Sequence, residues 1–180
     1  MLVNNVGALT VHPGGFATVT DDEWQASWDL NVMGTVRPTR AALPQMHRRG
    51  GGSIVIVGSV NAYFPDPGIY DYCATKAAVT NFAKALSKEL GPKNIRVNSV
   101  SPGPVTTGMW LDEGGVADTI AGASGQTAEE VRAGTASAAA TGRFTTPQQV
   151  ADLVVFLASE RSGNITGSDL RIDGGLITTM

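Results

Sequence analysis

The segment Ser53–Val57, SIVIV, restricts the fold more than any other part of the chain. It is a β-branched run of strand length that is apolar on both faces. A strand buried on both faces belongs in a parallel sheet covered by helices on each side. The surrounding sequence supplies the other parts. Met1–Val6 begins apolar, turns polar and stops at Gly7, which reads as a buried strand entering a loop. Ile95–Val100 and Asp169–Ile172 read as two further strands. A helix is predicted from about Asp21 to Arg49, opened by Thr20 with Glu23 three residues on, a capping box. Pro38 and Pro44 lie inside it and predict a kink or a break there, and Gly50-Gly51-Gly52 ends it. A second helix is predicted over Ile69–Leu90, where Ala74, Ala77, Ala78, Phe82, Ala85 and Leu86 recur at three- and four-residue spacing before Gly91-Pro92. A third runs from Pro147 to Ala158, with Pro147 suited to its first turn. Between Met109 and about Thr141 the chain turns to Ala, Gly, Thr and Ser, which reads as a mobile, partly helical excursion. Strands alternating with helices predict an α/β fold with a parallel sheet of about four strands and flanking helices.

Composition narrows the function classes. The 180 residues suffice for one domain with a sizeable core. A hydrophobic content of 42% and a charged content of 16% exclude a disordered chain. The formal net charge is -3 and no basic cluster exceeds Arg48-Arg49, which argues against nucleic acid as a partner. Cys73 is the sole cysteine, so no intramolecular disulfide forms and a reducing compartment is expected. No apolar run reaches the roughly 18 to 20 residues that span a bilayer, and MLVNNVGALT lacks the basic and long apolar regions of a secretory signal. The expectation is a cytoplasmic protein with a small-molecule substrate, no nucleic-acid or membrane partner and no metal site.

Ligands of open parallel sheets bind beyond the C-terminal ends of the strands. The loops there are Asn4–Gly7, Gly58–Val60 and Pro102–Thr107. Tyr72 and Lys76 are four residues apart at the start of a predicted helix, which puts both side chains on one face. That pair alone carries little information. Ser59, however, ends the run IVIVGS thirteen residues earlier, and Asn31 sits within LNVMG in the preceding helix. Asn4-Asn5-Val6-Gly7 ends the first strand, Pro102-Gly103 and Thr107 follow the third, and Asp173-Gly174-Gly175 closes the last.

In this order and spacing the set resembles the short-chain dehydrogenase/reductase family, along essentially the whole chain. The resemblance implies the C-terminal part of a Rossmann-type doubly wound sheet, and hydride transfer between NAD or NADP and a ketone or secondary alcohol. It makes Tyr72 the general acid/base. It gives Lys76 the tasks of holding the cofactor ribose and lowering the Tyr72 pKa. Ser59 donates to the substrate oxygen, and Asn31 holds a water in a proton relay, with plain bonding to backbone at a helix irregularity as its alternative. Asn4 and Gly7 are implied on the adenosine side, with Tyr72 and Lys76 also touching cofactor. Pro102, Gly103, Val105 and Thr107 are implied around the nicotinamide. Met109–Thr141 would cover the substrate, with a loosely ordered surface insert as the alternative. The family also implies a homo-oligomer, dimer or tetramer, built on the two long helices.

One family feature has no counterpart here. No G-x-x-x-G-x-G motif precedes Asn4-Asn5-Val6-Gly7, so nothing supplies the backbone cradle for the pyrophosphate. At about 30 residues per βαβ unit, roughly 75 to 90 residues would be absent, Met1 would be an internal methionine of a longer chain, and an unpaired apolar strand edge would be exposed. The competing reading is a non-catalytic chain acting as an interaction or dimerisation module. A hydrolase built on Ser59 is disfavoured, since G-x-S-x-G is missing. Tyr63, Tyr70, His12 and His47 are expected to play no chemical part, both histidines as surface residues. Cys73 is expected to be a packing thiol, and Trp24, Trp28 and Trp110 packing anchors, with Trp110 the best candidate for a substrate contact.

Overall fold

The computed structural model describes residues 1–179. Four strands, β1 (Leu2–Asn4), β2 (Gly52–Val57), β3 (Ile95–Pro102) and β4 (Asp169–Ile172), form one parallel sheet in that order. The alternation of β2 explains why both faces had to be apolar. Ile54 and Ile56 point to one side and pack with Val97, Val79 and Leu90, while Val55 points to the other with Val100 and Leu157. All of these are 1% exposed or less, and each such side chain contributes about 1.5 to 3 kcal/mol.

The helices are α1 (Asp21–Trp28), α2 (Gly34–Arg48), α3 (Tyr70–Leu90), α4 (Gly108–Leu111), α5 (Val116–Ser124), α6 (Ala128–Ala138) and α7 (Pro147–Ala158). Side chains of α2 and α3 cover the Ile54 face, and α7 covers the Val55 face. The capping box at Thr20 and Glu23 forms with both reciprocal bonds, and a second one at Thr146 and Gln149 sets Pro147 in the first turn of α7. Arg96, on β3, sends its guanidinium to the carbonyls of Leu157 and Ser159, each at 2.9 Å. It thereby satisfies the C-terminal end of α7.

Two expectations are corrected. The long first helix does not break at its prolines, because Pro38 and Pro44 both lie within α2. The irregularity is a wide π turn upstream, Asp29–Met33, where the Gly34 N–H reaches back to the Asp29 carbonyl. The cause is local. The Asn31 side-chain amide takes the Ser27 carbonyl at 3.1 Å, the acceptor that its own backbone N–H would use in an α-helix. The excursion after β3 is partly helical, as expected: it folds into α4, α5 and α6 and buries Val116, Ala117 and Val131. The first strand is not fully buried. It pairs only with β2, and Val3 is 37% exposed beside Val55 because α7 does not reach across to it. This is the open apolar edge anticipated for β1. No helix among the described residues is long and apolar enough to cross a membrane.

Candidate active site

The chemistry-bearing residues sit where β2 ends and α3 begins. Ser59 leaves the strand in an extended conformation, and its hydroxyl caps the short turn Val60–Ala62. It accepts from the Asn61 N–H and donates to Asn61 Oδ1, both at 3.1 Å. Tyr72 lies in the first turn of α3 and Lys76 one turn later; they are 7% and 4% exposed. Lys76 Nζ stands 5.5 Å from the centre of the Tyr72 ring and donates to the Val57 carbonyl at 3.1 Å. Burial pushes the Tyr72 phenol up, opposed by the Ser59 hydroxyl beside it, which favours the phenolate. Burial also pushes Lys76 down to about 8. Burial is thus the largest influence at both groups.

Gly7, at the end of the loop from β1, closes this group from the other side. A methyl group there would stand 3.0 Å from Asn31 Oδ1 and 3.0 Å from Lys76 Nζ. Asn31, 1% exposed in the π turn, clasps the same loop. Its Oδ1 accepts from the Ala8 N–H at 3.2 Å and its Nδ2 donates to the Ala8 carbonyl at 3.1 Å. Asn4 turns into α2 and donates to Thr39 Oγ1 at 2.9 Å. The structure therefore brings Gly7, Asn31, Ser59, Tyr72 and Lys76 together at one end of the sheet.

Pro102 ends β3, and the Gly103 N–H donates to the Ile172 carbonyl at 3.1 Å. Gly103 has no room for a side chain, since a Cβ would meet the Asp173 backbone at 3.0 Å. Val105 bridges Thr145, and Thr107 opens α4. Beyond it, a cleft of about 410 Å³ lies between Ala8–Val11 on one wall and Met109, Val116 and Thr119 on the other. No side chain lining it is charged.

A family profile described as enoyl-(acyl carrier protein) reductase matches residues 1–177. The chain belongs to the short-chain dehydrogenase/reductase family. It is 34% identical over 182 residues to dehydrogenase/reductase SDR family member 4 of Homo sapiens, covering 97% of this chain and 58% of that protein. It is 35% identical over 181 residues to the 3-oxoacyl-(acyl-carrier-protein) reductase FabG of Thermotoga maritima, covering 98% and 65%. The chain thus spans about 58–65% of the length of these curated relatives. Among solved structures it resembles L-sorbose reductase from Gluconobacter frateurii, determined with NADPH and L-sorbose. The TM-score is 0.89 and the identity 34%, over 99% of this chain and 67% of that one. The Rossmann-type architecture expected from the sequence is the one these short-chain dehydrogenase/reductase structures share.

Several residues of this family member are placed differently from expectation. His12 is not at the surface; it is 6% exposed and faces Asp71. No pattern in the sequence pairs these two, which lie 59 positions apart. Trp28 is 42% exposed, so it is not a buried anchor. Trp110 packs edge-on against Phe144 at 5.2 Å. Cys73 is buried with its thiol raised by desolvation, in keeping with a packing role. Asp173 binds the N–H groups of Gly175 and Ile177, each at 3.0 Å, which makes it the turn that closes β4. Asn61, which fixes the Ser59 hydroxyl, was missed because an Asn two residues after a serine carries no signal by itself.

Proposed function

We propose that the chain is the catalytic and nicotinamide-proximal part of an NAD- or NADP-dependent oxidoreductase that interconverts a ketone and a secondary alcohol. The observation that carries this reading is the buried pair Tyr72 and Lys76, one helical turn apart, with Ser59 beside the phenol. The donor set fits a nicotinamide nucleotide. Lys76 spends one hydrogen bond on Val57 and keeps further N–H groups for ribose hydroxyls. Gly7 leaves open the space that any side chain would fill.

When bound, the cofactor supplies the hydride. The chain's own residues handle the proton and the developing charge. A phenol raised by burial is protonated near neutrality, which suits Tyr72 to donate its proton to the carbonyl oxygen during reduction. Ser59, still accepting from the Asn61 N–H, would turn its one O–H from Asn61 Oδ1 to the same oxygen and stabilise the charge gathering on it. Asn31 Oδ1 and Lys76 Nζ border one space at Gly7, so one water between them can refill the Tyr72 proton through Lys76. Pro102, Gly103, Val105 and Thr107 lie against the nicotinamide, Asn4 and Gly7 toward the adenosine side, and α4 to α6 cover the substrate. Trp28 and Leu30, both 42% exposed, favour burial against a second copy of the chain, hence a homo-oligomer.

The test is a titration of the protein with NADH and NADPH, following cofactor fluorescence and melting temperature. Saturable binding with a rise in melting temperature supports the reading. A cooperatively melting chain that binds neither cofactor leaves only the interaction-module reading.

A further inference from the structure

The loop after β1 carries one buried side chain that this catalytic scheme does not use. His12 Nε2 stands 3.3 Å from Asp71 Oδ1, with both side chains at most 5% exposed. The two atoms are within ion-pair distance but not aligned as a hydrogen bond. Neither has another polar partner among the described residues. A buried polar group without a partner is costly, so each of these makes the other's burial tolerable.

The pair's position matters more than its energy. The His12 N–H also donates to the Gly68 carbonyl at 2.7 Å, and the Phe16 ring meets the Tyr70 ring edge-on at 5.7 Å. Three contacts from one loop thus land on Gly68, Tyr70 and Asp71, immediately before Tyr72. The other end of the loop is clasped at Ala8 by Asn31. Between these anchors run Leu9, Thr10 and Val11, which form one wall of the 410 Å³ cleft.

We propose that His12 and Asp71 are a positioning pair that sets this wall at a fixed distance from Tyr72, so that a substrate resting on Leu9–Val11 presents its carbonyl to the phenol. The proposal rests on the oxidoreductase reading above. Asp71 has a second use, since a carboxylate in the first turn of α3 favours the helix dipole. That use does not involve His12 and is separable by experiment.

The experiment compares the protein with its His12→Ala, His12→Gln and Asp71→Asn variants and the His12→Ala/Asp71→Asn double variant. Turnover is measured with NADPH or NADH and ethyl acetoacetate as the carbonyl probe, below the melting temperature of every variant. For His12→Ala, kcat/KM for the ketone should fall by about ten- to a hundredfold, with cofactor affinity unchanged. His12→Gln, which keeps a donor, should recover most of the loss. The double variant should be no worse than the poorer single one, because the pair acts as a unit. Unchanged ketone kinetics in His12→Ala, or additive losses in the double variant, would overturn the proposal. If the parent protein itself fails to turn over or to bind cofactor, the oxidoreductase reading fails separately, and amide exchange then decides the clamp. His12→Ala should speed exchange at the Ala8 and residue-12 amides and leave the Val55 amide unaffected. Equal exchange at all three in variant and parent would count against it.

Discussion

Gly7 lies so close to Lys76 that a single methyl group on it would stand 3.0 Å from the ammonium nitrogen. The gap is small because Asn31 pulls the Ala8 peptide inward while Lys76 is held upright by the Val57 carbonyl. Gly7→Ala should therefore push Lys76 and Asn31 apart. It should destabilise the chain by about 1 to 3 kcal/mol and weaken NADH and NADPH binding more than tenfold. Urea unfolding and cofactor titration check the two parts. Normal cofactor affinity in a Gly7→Ala protein would mean that this space is not used for the ribose.

Lys76 carries a cost that its removal should relieve. Its pKa falls from 10.5 to about 8 through burial alone. Below about pH 8 the folded chain carries the full penalty of a buried ammonium. Between about 8 and 10.5 the unfolded chain binds the proton more tightly, so stability rises with pH across that window. Lys76→Met should then stabilise the cofactor-free protein at pH 7 by about 2 kcal/mol after the lost bond to Val57, roughly 4 to 8 °C in melting temperature. The gain should shrink as pH approaches 10. Thermal scans from pH 7 to 10 measure it, and a fall in melting temperature at pH 7 would contradict the account.

Tyr72 and Ser59 make separable contributions under the proposed chemistry. Tyr72→Phe removes the proton donor and should lower kcat by about 10² to 10⁴ with cofactor affinity preserved. Ser59→Ala removes one stabilising donor and should cost about 10² to 10³ in kcat. Steady-state kinetics with a bound-cofactor control tests both. Retained turnover in Tyr72→Phe removes it from the acid/base role.

Arg96 should matter to stability and not to chemistry. Its guanidinium bonds the carbonyls of Leu157 and Ser159 together with Ser162 Oγ. Arg96→Ala leaves the Leu157 and Ser159 carbonyls to the Ser162 and Ser53 hydroxyls alone and should cost about 1 to 3 kcal/mol in urea unfolding. Arg96→Lys should recover less than half, since one ammonium cannot span acceptors that the planar fork reaches together. Full recovery by lysine would show that charge alone serves the helix end.

Much of this was legible from the chain because it is written in local patterns. SIVIV states a doubly covered strand, Thr20 with Glu23 and Pro147 state helix starts, and the spacing of Tyr72 and Lys76 states a shared face. Each of these is decided by neighbours within a turn of helix or a pleat of strand. The misplaced features depend on partners far away in the sequence. The irregularity of the first helix moved from the prolines to Asp29–Met33 because Asn31 is bonded to Ala8, 23 residues earlier. Periodicity carries no trace of that bond.

The amino-acid sequence by itself determined the element order and the parallel sheet, because backbone propensity and hydrophobic period act over short range. Only the tertiary structure decided that His12 is buried on Asp71, that Trp28 is exposed and that Asn31 is buried against Ala8. It also decided that burial raises the Tyr72 phenol. The reason is common to all four. Burial and electrostatic environment are sums over every surrounding atom, and those atoms come together only when distant segments pack.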